Sequence, residues 1–425
     1  MWHIIRQFVF GSTSRILCRI IGIAGAIVTA RLLGPEGYGL LGIVFALTLT
    51  FDALVDTGVE KAVVHYASGE PDDSQIVWSG FVLDFSLTVF VFIINLLFVG
   101  WFEAQTHKPI KILSILAALY LLPSAFDVWK ARLSAKRRVE LLSGISVTAN
   151  IMQTSLSIGL IVIGFGVQGA IIGYVIARTC STLLCLRYGF GRGEFSVMMI
   201  KKMLSYGLPS GIKGLAIYTV RRIDRLILAF FVTAADIAIY GIANMIGSMI
   251  QLLPASFSLV MLPYISEAYK NNDITKIHGS YSAGLVIFSL WGILSSIFVI
   301  LLARPLVLFV LGTEYLPSLS ILRICIFADV AHGVFYVMLT TLDGINQTMT
   351  NLIITVIQSL VTISFLFLLV PSYGIRGAAY IDVIVSLIGA VLGFFCVKRI
   401  TGLNIKQNLG YINELIILFK RSVLK

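Results

Sequence analysis

"YTVRRIDRLIL", residues 218–228, sets three arginines and one aspartate inside a long, mostly apolar stretch running from Leu204 to Val232. A charge at the centre of a bilayer costs at least about 2.5–3.5 kcal/mol on insertion scales, so the stretch reads as a membrane helix only if something nearby offsets its arginines. The rest of the chain decides for the bilayer. Hydrophobic residues make up 58% and charged residues 12% of the 425 positions, and the mean hydropathy is +0.95. Too little polar surface remains to coat a soluble globule of this length. The expected fold class is an all-α polytopic membrane protein.

Working outward from residue 218, apolar runs long enough to cross about 30 Å of hydrocarbon occur near 9–31, 38–64, 76–101, 110–128, 143–164, 168–187, 204–232, 237–263, 281–303, 316–341, 350–370 and 375–397. These twelve runs are read as transmembrane helices. The first is taken as a retained helix, because no small-residue cleavage site follows it. With the N-terminus in the cytoplasm, the inward loops and tail collect Arg6, the cluster Lys130, Arg132, Lys136, Arg137 and Arg138, and most other basic residues outside the runs. The outward loops hold only Arg31, Lys108, Lys111, Arg304 and Arg376. This asymmetry places both termini in the cytoplasm, and makes the chain a multi-pass protein of the cell (plasma or inner) membrane. Contact with anionic headgroups accounts for the net charge of +11 without a nucleic-acid partner.

The chain also hints at a duplication. "GPEGYGLLG" (34–42) parallels "DIAIYGIAN" (236–244), which puts Arg19 on Arg221, and "GFGVQGA" (164–170) parallels "SYGIRGA" (372–378). Two six-helix halves follow, 1–187 and 204–398, joined by a basic cytoplasmic linker at 188–203 and followed by a basic tail at 399–425. They are expected to form pseudo-repeated lobes around a central cavity.

On a helix, Arg221 and Arg225 share a face, while Asp224 and Arg222 lie three residues from one or the other. Measured back from Thr233, Arg221 is about 18 Å deep and Arg225 about 12 Å, so snorkelling serves the second better than the first. Arg15 and Arg19 repeat the four-residue spacing in the first run. Asp224 alone cannot neutralise three arginines on its own helix, and two readings stand. In one, acidic residues on other helices form structural ion pairs; Asp52, Asp56 and Glu60 lie at four-residue intervals, with Asp84, Asp127, Asp329, Asp343 and Asp382 elsewhere. In the other, a water-filled cavity binds an anionic ligand, and planar guanidinium groups suit phosphate or diphosphate oxygens. Arg178 either lines that cavity or snorkels inward. Lys213 is placed in the inner half of the cavity or at the interface.

No catalytic constellation stands out. The chain has no G-x-x-x-x-G-K-[ST] loop, no H-E-x-x-H and no G-x-S-x-G, and its five histidines are dispersed. Its five cysteines lack paired or metal-ligand spacing. The expectation is a protein that is not an enzyme, with no cofactor and no metal.

"TARLLGPEGYGLLGIVFALTLTFDALVDTGVEKAVVHYAS" (29–68), together with "YGLPSGIKGLAIYTVRRIDRLILAFF", "AIYGIAN" and "LPYISEAYKNND" in the second half, resembles the polysaccharide transporter family of oligosaccharide flippases. That family lies within the multidrug/oligosaccharidyl-lipid/polysaccharide exporter superfamily. The resemblance implies a twelve-helix, two-lobed carrier that moves a polyprenyl diphosphate-linked glycan from the inner to the outer leaflet by alternating access, in company with other polysaccharide assembly proteins. Arg15, Arg19, Arg221, Arg222 and Arg225, with Arg178 and Lys213, would then hold the diphosphate and its first sugars. Related multidrug extruders and the peptidoglycan lipid precursor flippase are the alternatives that this resemblance leaves open. Extruders usually carry cations, which a net-positive cavity suits poorly. A further reading is ion-coupled export, with Asp52, Asp56, Glu60 or Asp224 as a proton or sodium site.

Overall fold

The computed structural model describes residues 2–191 and 193–402; the side chain of Arg221, Arg192 of the linker and residues 403–425 of the basic tail fall outside it. Helices α1 (Trp2–Val55), α2 (Val59–Ala67), α3 (Ser74–Thr106), α4 (Lys111–Ala118), α5 (Asp127–Ala135), α6 (Val139–Leu160), α7 (Gly166–Gly189) and α8 (Val197–Phe231) are followed by α9 (Ala234–Gly247), α10 (Leu252–Lys270), α11 (Ile274–Leu306), α12 (Ser318–Gly344) and α13 (Thr348–Thr401). Among the described residues there is no strand. Helices suit hydrocarbon, because each satisfies its backbone groups within its own segment without water or an open edge.

Among the described residues, eight stretches are long and apolar enough to cross a membrane, and the protein is a multi-pass membrane protein. Three of them are about twice the necessary length and carry an internal break, at Gly34 in α1, at Gly164 and Gly166 between α6 and α7, and at Gly374 in α13. Splitting each at its glycine and adding α8, whose arginines lower its hydropathy, gives the twelve segments expected from the apolar runs. Exposed side chains such as Leu97, Leu294 and Phe309 form the lipid-facing surface.

The breaks bear on the duplication. Gly166 has φ 53° and ψ −134°, and Gly374 has φ 56° and ψ −137°, a region open essentially to glycine alone. These are the two glycines that the alignment of "GFGVQGA" with "SYGIRGA" superposes. Three residues on, a side chain at Gly169 would meet Phe165, and one at Gly377 would meet Tyr373, again at matching positions.

Three expected runs are interrupted, the eighth by a 3₁₀ turn at Ser248–Gln251 between α9 and α10. The second stops at Val55, turns through Gly58 at φ 78°, and resumes as α2. The Asp56 carboxylate accepts the Gly58 N–H at 3.1 Å and stabilises that turn. The fourth run breaks after α4 into a 3₁₀ turn, Leu122–Phe126, that carries Pro123. It continues as α5, so Lys130 and Arg132, expected in a loop, are helical.

The chain forms two compact units. Among the described residues, the first comprises 2–238 with 310–314, and the second comprises 239–309 and 315–402. In the first, Val63, Val77, Val128, Trp129 and Met203 share a core, and α8 packs on α1, α2 and α3. In the second, Tyr281, Phe288, Phe335 and Leu342 form the core.

The first unit is tied together where α3 begins. Arg132 donates to both oxygens of Asp73, at 2.9 and 2.5 Å, and to the Gly189 carbonyl at 2.8 Å. Lys136 stands 3.5 Å from the same carboxylate, which is 1% exposed. Burial pushes the Asp73 carboxyl up, but the hydrogen bonds and charge of Arg132, with the charge of Lys136, outweigh that and hold it below the usual carboxylate range.

Candidate functional site

Three short-range choices of the sequence build a cavity in the first unit. The last turn of α1 carries Asp52, the Gly58 turn carries Asp56, and the first turn of α2 carries Glu60. The break in the helix therefore keeps all three acids on one wall. The Pro123 turn presents Ser124 and starts α5 at Asp127, followed one turn later by Lys130. α3 contributes Asp84 and α7 contributes Arg178. The cavity is partly open, with a volume of about 240 Å³, and is lined by these residues with Val55, Thr57 and Val59.

Five carboxylates thus face two cations, and one cation is already engaged. Arg178 pairs with Asp127 through a single nitrogen, Nη2 to Oδ2. It lies 5.4 Å from the centre of the Tyr120 ring, and its Nε has no hydrogen-bond partner. Stacking on an aromatic face suits guanidinium and fixes the side chain's direction. Lys130 is then the one remaining cation among the lining residues. Carboxyl groups therefore outnumber cations around the cavity.

α8 reaches this cavity through its glycines. A Cβ on Gly207 would lie 2.7 Å from the Gly58 carbonyl oxygen, and one on Gly214 would lie 3.6 Å from Asp56 Oδ2. Only glycine permits an approach of backbone to backbone at that range. Lys61 donates to Ser210 at 3.3 Å across the same contact. Higher on α8, the Tyr218 hydroxyl donates to the Ala46 carbonyl at 3.0 Å with Thr50 Oγ1 3.3 Å away, and fixes α8 on α1 just before the arginines.

Of the residues picked out from the sequence, Asp52, Asp56, Glu60 and Arg178 come together at the cavity. Arg222 and Arg225 form a separate group, close enough to Tyr38 and Tyr218 for their charges to act on both hydroxyls. Arg222 is exposed, and Arg225, Asp224 and Lys213 are half-buried. The Asp224 carboxylate accepts the Arg225 backbone N–H at 2.8 Å. Arg15 and Arg19 are exposed on α1. The side chain of Arg221 lies outside the described residues.

Asp84, Asp127, Lys130 and Ser124 complete the cavity and were not singled out as site residues. Asp84 and Asp127 appeared only among the available counter-charges and Lys130 in a basic loop. A signal was present for Asp84, a carboxylate in the middle of an apolar helix with Thr88 one turn on. Among the described residues no group of His, Cys, Asp and Glu could share a metal ion.

Comparisons with known proteins place these features. The "Probable flippase AglR" of Haloferax volcanii is 23% identical over 396 residues, covering 87% of this chain and 78% of that protein. Among solved structures, the lipid II flippase MurJ in an inward closed conformation matches with a TM-score of 0.79 at 19% identity, covering 98% of this chain and 93% of its own. An inward-facing multidrug resistance MATE family transporter of the MOP superfamily matches with a TM-score of 0.75 at 18% identity, covering 90% and 94%. The fold is that of these membrane transporters. Residues 28–320, well over half of the chain, match the polysaccharide biosynthesis protein family, and the chain belongs to that family.

Proposed function

We propose that this protein is a flippase that carries a polyprenyl diphosphate-linked oligosaccharide from the inner to the outer leaflet of the cell membrane for surface polysaccharide biosynthesis. It is a carrier, not an enzyme, and works by alternating access. The observation that carries the reading is the arginine group of α8. Arg222 and Arg225 lie about one turn apart on a largely apolar helix, within electrostatic range of Tyr38 and Tyr218. Guanidinium forks with neighbouring phenol donors suit diphosphate oxygens. Membership of the polysaccharide biosynthesis protein family and similarity to a probable flippase support a flippase reading.

In this reading Arg15, Arg19, Arg221, Arg222 and Arg225 hold the diphosphate, and Lys213 contributes charge nearer the inner leaflet. Arg178 has a different part, because its partner is Asp127 and its surroundings are acidic. The acid-lined cavity serves a coupling cation and not the phosphates.

The test is leaflet exposure of a fluorescent polyprenyl diphosphate glycan in proteoliposomes. Movement in wild type should be lost in Arg19→Ala/Arg221→Ala and strongly reduced in Arg222→Ala/Arg225→Ala, at matched insertion. Undiminished movement in both double variants would remove the arginines from the mechanism. With a single Arg221→Lys variant, near-complete loss would mean that bidentate geometry matters beyond charge.

A further inference from the structure

A row of polar side chains on α3 starts at Asp84 in the acid-lined cavity and runs on beyond it. Asp84, Thr88 and Asn95 lie on the buried face of that helix together with Gly80, Val91, Val99 and Phe102. Their exposures are 5%, 1% and 1%. The spacings of four and seven residues stack them on one side, over about 16 Å of helix axis. That is roughly half the hydrocarbon thickness.

None of the three is satisfied by protein. Thr88 Oγ1 and both polar atoms of Asn95 have no hydrogen-bond partner. Asp84 lines the cavity at the lower end of the row and, among the described residues, makes no hydrogen bond or ion pair. A buried carboxylate, hydroxyl and amide left unpaired at helical spacing are unusual in a folded protein, and ordered water is the usual partner for such groups. An ionisable residue inside a membrane segment, such as Asp84, commonly marks an ion or proton path.

The charged and titratable groups facing Asp84 are Asp52 and Asp56 at the end of α1, Glu60 on α2, Asp127 and Lys130 on α5, and Arg178 on α7. Arg178 is taken by Asp127, so the remaining carboxylates share little positive charge. The lining acids are not arranged to share one metal ion among the described residues, whereas a proton needs only a single carboxylate oxygen.

We infer that Asp84 takes up and releases a proton, and that a file of water along Thr88 and Asn95 carries it between the acid-lined cavity and the farther half of α3. The carboxylate accepts a proton from water and returns it to water, so nothing else is consumed. Thr88 can both donate and accept a hydrogen bond, and the Asn95 amide can do the same through its two polar atoms, as a relay of water requires. The inference goes beyond the identity of the lipid cargo and stands if that cargo proves to be another.

Infrared difference spectroscopy of the purified full-length protein in lipid, stepped between acidic and neutral pH in H₂O and D₂O, tests it without any substrate. A carboxylic acid C=O band should appear on acidification, shift in D₂O, and be lost in Asp84→Asn. In Asp84→Glu it should persist at a displaced position, which separates loss of the proton site from loss of the fold. Thr88→Val/Asn95→Leu should keep the band and slow its hydrogen–deuterium exchange. A band that survives Asp84→Asn unchanged would move the proton elsewhere, and exchange as fast in the dry-stripe variant as in wild type would remove the water file.

Discussion

Two arginine–aspartate pairs stand in the first unit, Arg132 with Asp73 and Arg178 with Asp127, and the way each is completed differs. Arg132 uses three nitrogens, two on one carboxylate and one on the carbonyl that ends α7, and Lys136 adds a second cation. The side chains are 11% and 1% exposed. Arg178 touches Asp127 through one nitrogen, leaves its Nε without a partner, and borders a cavity with four more carboxylates. Its pair is 19% and 10% exposed. A saturated pair has one low-energy arrangement and fixes helix ends; an unsaturated pair in an acid-rich cavity has other partners within reach. The first is suited to holding α3, α5 and α7 in register, and the second to responding when charge enters the cavity.

The largest effect should come from breaking the saturated pair. Removing one partner of a buried, fully hydrogen-bonded ion pair costs about 3–5 kcal/mol, because the other charge is left without compensation. Asp73→Ala and Arg132→Ala should each lower thermal stability in detergent or nanodiscs by an amount of that order. The double variant should cost much less than the two singles added together, since no orphaned charge remains. Additive losses would mean that the two side chains do not act as a unit.

Arg178→Ala should cost less, about 1–3 kcal/mol, because one hydrogen bond is lost and water in the cavity can solvate Asp127. Asp127→Asn in the same background should recover most of it. If Arg178→Ala proved as damaging as Arg132→Ala, the contrast between the pairs would fail, and Arg178 would be a structural clamp like Arg132.

How much of this could be read from the chain follows from what each feature depends on. The spanning segments were legible because length and apolarity are local properties, and Gly34, Gly166 and Gly374 fall in the gaps between expected runs. The pairing of "GFGVQGA" with "SYGIRGA" was legible for the same reason, since the backbone geometry at that glycine admits no other residue. The breaks at Gly58 and Pro123 were missed because each lies inside an apolar run, where hydropathy outweighs one turn residue. Those breaks bring Asp56, Glu60 and Asp127 to the same space, so the acid-lined cavity was not foreseeable from helical spacing alone. Arg178 illustrates the limit from the other side. Sequence marked it as a buried charge, but which of several acids it meets depends on how α5 and α7 pack.

The smallest effect concerns pH and reads the saturated pair without removing it. Asp73 is held below the usual carboxylate range in the folded protein, so the unfolded chain binds its proton first as pH falls. The stability it contributes is therefore complete above the ordinary carboxyl value of about 3.9 and is lost as pH drops through the lower, folded value. The difference in unfolding temperature between wild type and a variant lacking this carboxylate should hold constant from neutral pH to about pH 5 and shrink in stronger acid. Asp72, held low by its hydrogen bonds from Ser74, and Asp273, held low by those from Lys276, add to the same limb. The informative quantity is thus the difference between wild type and Asp73→Asn, whose curve should start lower and fall less steeply. Curves that run parallel through the acid limb would mean that Asp73 binds its proton equally well folded and unfolded, and the saturated pair would then be no more fixed by its charge than the pair in the cavity.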